Sequence, residues 1–318
     1  CIRDRIIAYF VLNKYISLLF PSFSQKYHHG KISILSSRRV FMPNIFHYNI
    51  LVTLDRNYLK VLSVMLYSLS QSDPDAVFTV YVANNSLTED DFSSLRTLIP
   101  RTEFVDVRVC DELLSGAPIS DRYPKEMYFR LFAAQYLPQE LDRILYLDPD
   151  LVILNDLRGL YSIDFQNHLF AASSHIESTF FKNFNRHRLH LSKEARYINS
   201  GVMMLNLSLL RKEQHPQEIY DFINEHKTSL LLPDQDILNA LYADRTIFLD
   251  PLIYNLGEKY LRLKNLHLPK EEKLGIDWVR NHTAVVHYYG RNKPWKEGYH
   301  GKLGIFYQEF LHDMESFS

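Results

Sequence analysis

The chain has 318 residues, 46% of them hydrophobic and 23% charged, so it can bury one large core or two smaller ones and reads as an ordinary globular protein. Thirty-six basic residues against 37 acidic ones leave a net charge of -1 with no long basic block, which argues against a nucleic-acid partner. The two cysteines, Cys1 and Cys110, exclude a disulfide framework and a clustered zinc site, and a reducing cytoplasm fits them best.

The chain opens on cysteine rather than methionine. Ile6 to Phe20 form an apolar, aromatic-rich stretch, but Asn13 and Lys14 interrupt it and it is shorter than the ~20 residues of a membrane-spanning helix. It could serve as a weak membrane anchor, yet Cys1-Ile-Arg-Asp-Arg5 resembles translated read-through of a sequencing adapter. The expected start is Met42, with 1–41 a non-globular or non-native extension, 42–300 the folded domain and 301–318 a helical tail.

From His47 strand and helix signals alternate. Asn49-Ile-Leu-Val-Thr53 is a short β-branched run, and Tyr58 to Leu69 then places Leu59, Leu62, Met65, Leu66 and Leu69 on one helical stripe. Val77 to Val82 predicts a second strand, Ser86 to Leu98 a helix with an acidic first turn, and Glu103 to Val109 a third strand. Lys125 to Leu137 reads as one helix leading into Arg143-Ile-Leu-Tyr-Leu147. Such alternation with short connectors predicts an α/β fold, Rossmann-like, with a mostly parallel sheet covered by helices on both faces.

Asp148-Pro149-Asp150 interrupts the next apolar run, before Leu151-Val-Ile-Leu154. Ligands of such sheets bind beyond the carboxyl ends of strands, and two carboxylates placed there can hold a divalent cation against a phosphate. The same residues also shape turns, so the tripeptide alone leaves both readings open. There is no G-x-G-x-x-G after Thr53 and no G-x-x-x-x-G-K-[ST] anywhere, which makes dinucleotide oxidoreductases and P-loop hydrolases improbable. A bound nucleotide diphosphate would have to be neutralised by a metal and a few side chains.

Four further segments occur in a telling order: Tyr128-Phe-Arg-Leu131, Ile198-Asn-Ser-Gly-Val-Met-Met-Leu-Asn-Leu207, Pro233-Asp-Gln-Asp-Ile-Leu-Asn239 and Val286-His-Tyr-Tyr-Gly-Arg-Asn-Lys-Pro-Trp295. With the aspartates they make the chain, from about Asn49 to Trp295, resemble the family 8 retaining glycosyltransferases, which include bacterial lipopolysaccharide galactosyl- and glucosyltransferases and glycogenin. The resemblance implies a GT-A fold for 42–300, a UDP-sugar donor, hexose transfer to a saccharide or glycolipid acceptor, and Mn²⁺, with Mg²⁺ as the alternative. It places the metal on Asp148, Asp150 and His287, a ligand set that suits such an ion.

The resemblance also implies roles for other residues, each of which has an ordinary structural reading. Lys293, with Gly290 allowing close backbone approach, would face the diphosphate; otherwise it is a solvated lysine. Arg130 would contact donor groups or be an exposed helix charge, and Asn199 would bind the transferred sugar or shape the turn before Gly201. Asp234 would hold sugar hydroxyls, with Gln235 on the anomeric face opposite the leaving group, while Pro233 and Asp234 also suit a helix start. An amide is a poor nucleophile, which favours attack from the face the leaving group vacates.

Asp55, Asn57 and Tyr58 match donor-binding positions near the uracil and ribose, but relatives often carry an acidic pair where this chain has Arg56, which puts base recognition in question. The tail from Lys302 to Ser318 carries Glu309, Asp313 and Glu315 and shows no basic amphipathic face, so peripheral contact at the inner face of a membrane is the most that is expected. The variable stretch 174–196 is the candidate for acceptor contacts or a lid. Two alternatives are a noncatalytic nucleotide-sugar-binding protein, which would be expected to have lost a metal ligand or the Asp-Gln pair, and a sugar nucleotidyltransferase, which would need a glycine-rich loop after the first strand.

Overall fold

The computed structural model describes residues 45–110, 125–175, 179–192, 196–226 and 229–317. The chain divides into two units after Asn44. The first, which contains the expected extension 1–41, lies outside the described residues, and every described element belongs to the second.

The scaffold uses β1 (His47–Thr53), β2 (Val77–Asn84), β3 (Thr102–Arg108), β4 (Arg143–Leu147), β5 (Leu151–Ile153), β6 (Phe170–Ser173), β7 (Val202–Asn206), β8 (Thr246–Leu249) and β9 (Val285–His287). Seven of them form one sheet in the order β3-β2-β1-β4-β7-β6-β8. Only β7 runs against the rest, antiparallel to both β4 and β6, while the other pairings are parallel. β5 and β9 pair antiparallel in a separate ribbon.

Helices cover both faces, as the alternation predicts, because side chains of a strand point alternately up and down. Ile50 and Val52 of β1, Leu145 and Leu147 of β4 and Val202 and Met204 of β7 join one core with α1 (Leu59–Ser72) and α2 (Glu89–Leu98). Leu51, Ile144, Tyr146, Met203 and Leu205 point the other way. There they meet α3 (Glu126–Phe129), α4 (Ala133–Tyr136), α6 (Leu207–Glu213), α7 (Pro216–His226) and α8 (Pro233–Tyr242); α5 (Thr179–Arg188) lies between β6 and β7 in the chain.

Two local expectations shift. The helix expected from Ser86 begins at Glu89, because Asn84 Oδ1 accepts the Ser86 and Leu87 N–H groups and Thr88 forms a capping box with Asp91. The single helix expected over 125–137 is broken by a 3₁₀ turn at Arg130–Phe132, where Arg130 Nε donates back to the Met127 carbonyl at 3.1 Å. In a third core, Phe306, Tyr307 and Met314 of α10 (Gly304–Phe317) pack with Val64 and Tyr67 of α1 and with Val152 and Val286 of the ribbon; α9 (Pro251–Tyr254) precedes that ribbon's second strand.

Candidate active site

Strand direction brings the site together. β4 ends at Leu147, opposite Val202 at the start of the reversed strand β7, so Asp148 lies beside Gly201 and its N–H donates to the Gly201 carbonyl at 2.8 Å. Pro149 then carries the chain out of the large sheet into the ribbon. There Leu151 pairs with His287, and Tyr288 N–H donates to the Asp150 carbonyl at 3.0 Å. His287, more than a hundred residues downstream, therefore faces both aspartates: its Nε2 lies 3.2 Å from Asp150 Oδ1 and 3.8 Å from Asp148 Oδ2.

One ligand atom from each of these three residues lies within 4.8 Å of the others. An octahedral ion with bonds of about 2.1 Å sets neighbouring ligands about 3 Å apart and opposite ones about 4.2 Å apart, a spacing that these three residues could meet with side-chain adjustments. Gly201 forms the floor. A Cβ there would overlap His287 Cε1 and stand 2.7 Å from Asp148 Oδ2, so only glycine fits. The donor set of two carboxylates and one imidazole suits Mn²⁺ or Mg²⁺.

The remaining carboxylate oxygens are already committed. Asp148 Oδ1 accepts from Tyr146 at 2.6 Å and from Arg130 at 2.9 Å, and Asp150 Oδ2 pairs with Lys293, which also donates to the Tyr288 carbonyl at 2.8 Å. Burial alone would raise the Asp150 carboxyl, but His287 and Lys293 override it and hold the group well below the usual carboxylate range. Arg130 is not an exposed helix charge. Only 7% exposed, it reaches Asp148, Asp234 at 3.4 Å and the Ser200 carbonyl at 3.1 Å, and its guanidinium lies 4.4 Å from the centre of the Tyr146 ring. Burial works against its charge, but Asp148, Tyr146 and Asp234 keep the guanidinium firmly protonated.

Pro233 opens α8 and places Asp234 and Gln235 in its first turn, both buried. Burial pushes the Asp234 carboxyl up, Asp148 adds to this and Arg130 opposes it. Gln235 Oε1 accepts from Asn199 Nδ2 at 3.1 Å and from Ser200 N–H at 3.3 Å. These side chains share with the three ligand residues a cavity of about 500 Å³, within the usual size of a ligand site. His175, Asn185 and Arg188, from the stretch expected to meet an acceptor, line it too, and so does Gly290 in left-handed backbone at φ +89°.

A smaller adjoining cavity of about 180 Å³ is lined by Asp55 and Tyr58 together with Arg130, Asp148 and Asp150. Asp55 accepts the Asn57 N–H at 2.7 Å and so shapes the turn after β1, while the Asn57 side chain lines neither cavity. Arg56 turns away to Asp91 at 3.1 Å, so it does not block this pocket. Glu126, which no sequence pattern singled out, supplies a further carboxylate to the lining of this cavity. Sequence reasoning also missed Tyr146, Ser200 and Asn255, whose Oδ1 meets His287 Nδ1 at 2.8 Å. Their signal was weak: each sits within or next to an apolar strand or turn and differs from no ordinary core residue in pattern.

The model of the family described as glycosyl transferase family 8 matches residues 49–298. Among curated proteins, a lipopolysaccharide 1,2-glucosyltransferase of Escherichia coli is 26% identical over 267 residues, covering 83% of this chain and 77% of the relative. General stress protein A of Bacillus subtilis is 28% identical over 252 residues, covering 76% and 85% respectively. Among solved structures, the galactosyltransferase LgtC in complex with donor and acceptor sugar analogs superposes with a TM-score of 0.69 at 22% identity, covering 83% of this chain and 95% of that one. That likeness establishes the GT-A fold. Since the matched region takes in every strand of the large sheet except the first two residues of β1, and all the residues gathered at its edge, the chain belongs to glycosyl transferase family 8.

Proposed function

We propose that the protein transfers a hexose, glucose or galactose, from a UDP-sugar to a saccharide or glycolipid acceptor with retention of anomeric configuration, in the assembly of lipopolysaccharide or another cell-surface glycan. The observation that carries this reading is the convergence of Asp148, Asp150 and His287 on a cavity that Asp234, Gln235 and Asn199 also line. Those three ligand residues would hold Mn²⁺ or Mg²⁺, which would stabilise the charge on the leaving diphosphate. Lys293, withdrawn from Asp150, would place an ammonium against the same phosphates, and Tyr58 would stack on the base.

The residues on the sugar side bind and orient. Both lone pairs of Gln235 Oε1 are taken up by Asn199 and Ser200, and Asp234 is engaged by Arg130 and Ser200. The acidic side chains lining the large cavity, among the described residues, are Asp148, Asp150 and Asp234, so no uncommitted carboxylate stands ready to form a glycosyl adduct. The bond from the anomeric carbon to UDP breaks with its electrons leaving on UDP. The acceptor hydroxyl oxygen bonds to that carbon from the same face, and its proton passes to a phosphate oxygen of the departing UDP.

Incubation with UDP-glucose or UDP-galactose and Mn²⁺, following UDP release with and without saccharide acceptors, tests the reading, and NMR of the product reads the anomeric configuration. Absence of both UDP release and UDP binding in the presence of Mn²⁺ would overturn it.

A further inference from the structure

We infer that Asn255 is a positioning residue that orients, through one amide, both the imidazole of the metal site and the amides that face the sugar. Asn255 caps the C-terminal end of α9, is fully buried, and lies 32 residues before His287 in the chain. Its Oδ1 is 2.8 Å from His287 Nδ1, and its Nδ2 is 2.9 Å from Asn199 Oδ1. Asn199 in turn holds Gln235 at 3.1 Å.

The polarity of this chain of contacts is fixed from the backbone. The Gly201 N–H, which can only donate, meets Asn199 at 3.1 Å, so the Asn199 atom there is its oxygen. The Ser200 N–H likewise requires an oxygen on Gln235 at 3.3 Å, which matches the donation from Asn199 Nδ2. Asn255 must then present its NH₂ to the Asn199 oxygen and its own oxygen to His287. That oxygen accepts a proton held on Nδ1, so Nε2, which faces Asp148 and Asp150, is the nitrogen that would give up its proton to an ion. Two main-chain amides at the start of β7 thus dictate, through Asn199 and Asn255, which nitrogen of His287 is free to bind an ion. Partners of this kind are worth roughly 10- to 100-fold in metal affinity.

The inference rests on the reading of Asp148, Asp150 and His287 as a cation site, and the test separates the two. Mn²⁺ alone is titrated into the protein with free ion followed by EPR, and UDP and UDP-glucose affinities are measured by calorimetry in saturating Mn²⁺. If the unaltered protein binds neither Mn²⁺ nor UDP, the cation-site reading itself fails. If it binds them, Asn255→Leu is expected to weaken Mn²⁺ roughly tenfold or more. Asn255→Asp keeps an acceptor for His287 and loses the donor to Asn199. It is expected to hold Mn²⁺ and UDP as the unaltered protein does, and to lose the extra affinity that the glucose moiety confers.

Equal Mn²⁺ affinity in Asn255→Leu and the unaltered protein, with matching thermal unfolding, overturns the inference. So does Asn255→Asp losing both Mn²⁺ and the glucose increment, or neither. Should Asn255→Leu fail to fold, the two outcomes of Asn255→Asp decide alone.

Discussion

Gly201 and His287 are packed so closely that no side chain fits between them: a Cβ on residue 201 would overlap the imidazole and crowd Asp148 Oδ2 at 2.7 Å. The glycine is required for space. Gly201→Ala is expected to push His287 away from the aspartates and to weaken Mn²⁺ binding by roughly tenfold, with an overpacking cost of about 1–3 kcal/mol in unfolding free energy. EPR titration of Mn²⁺ and urea unfolding check the two parts. Unchanged Mn²⁺ affinity would show that His287 is not held where the structure places it.

Arg130 ties the first aspartate of the Asp-Pro-Asp element to Asp234 across the floor of the cavity. Arg130→Met leaves the buried Asp234 and the half-buried Asp148 without their shared counter-charge, and removing one partner from a buried pair costs up to about 3–5 kcal/mol. The expected outcome is a lower urea midpoint together with lost transfer. Arg130→Lys, with a compact ammonium in place of a planar fork, cannot reach Asp148, Asp234 and the Ser200 carbonyl at once and should recover only part of the loss.

The α/β sheet was legible in the sequence because apolar strand runs alternate with helical stripes along the chain, and alternate side chains of β1, β4 and β7 then enter the two cores. The reversal of β7 was not, because a buried strand such as Val202-Met-Met-Leu-Asn206 looks the same in either direction. That reversal is what sets Asn199, Ser200 and Gly201 beside Asp148. The apolar residues on either side of Asp148-Pro149-Asp150 likewise read as one run, although they belong to two sheets that share a corner at Pro149. Asn255 acts through Asn199 and His287, both distant in the chain, and single-chain spacing carries no trace of such pairs.

Lys293 neutralises Asp150, and the same ammonium would be drawn to a bound diphosphate. Lys293→Met is therefore expected to shift two affinities in opposite directions. Mn²⁺ alone should bind at least as tightly as before, since a competing cation is gone, while UDP in saturating Mn²⁺ should bind roughly tenfold more weakly, about 1.4 kcal/mol. Calorimetry of the two titrations separates the outcomes, and a variant that loses both would place Lys293 in a purely structural role.

His175 supplies the pH prediction. Burial pushes its imidazole down to about 4, with the neighbouring His287 adding to the effect and the Asn255 carbonyl, which its Nε2 contacts, opposing it. The unfolded chain titrates this residue near ~6.5, so between about pH 6.5 and pH 4 the unfolded state binds more protons than the folded one. The contribution of neutral His175 to stability is therefore complete above that window, falls as the pH drops through it, and is exhausted below about 4, with a ceiling of about 3 kcal/mol. Carboxylates such as Asp150, held low in the fold, lose their own contribution at more acidic pH, so the overall slope is shared. Replacing His175 with Gln keeps a donor for the Asn255 carbonyl and removes the titration. Urea midpoints measured from pH 7.5 to 4.5 should fall less steeply in His175→Gln than in the unaltered protein, and parallel curves would mean that His175 takes up its proton equally readily in the folded and the unfolded chain.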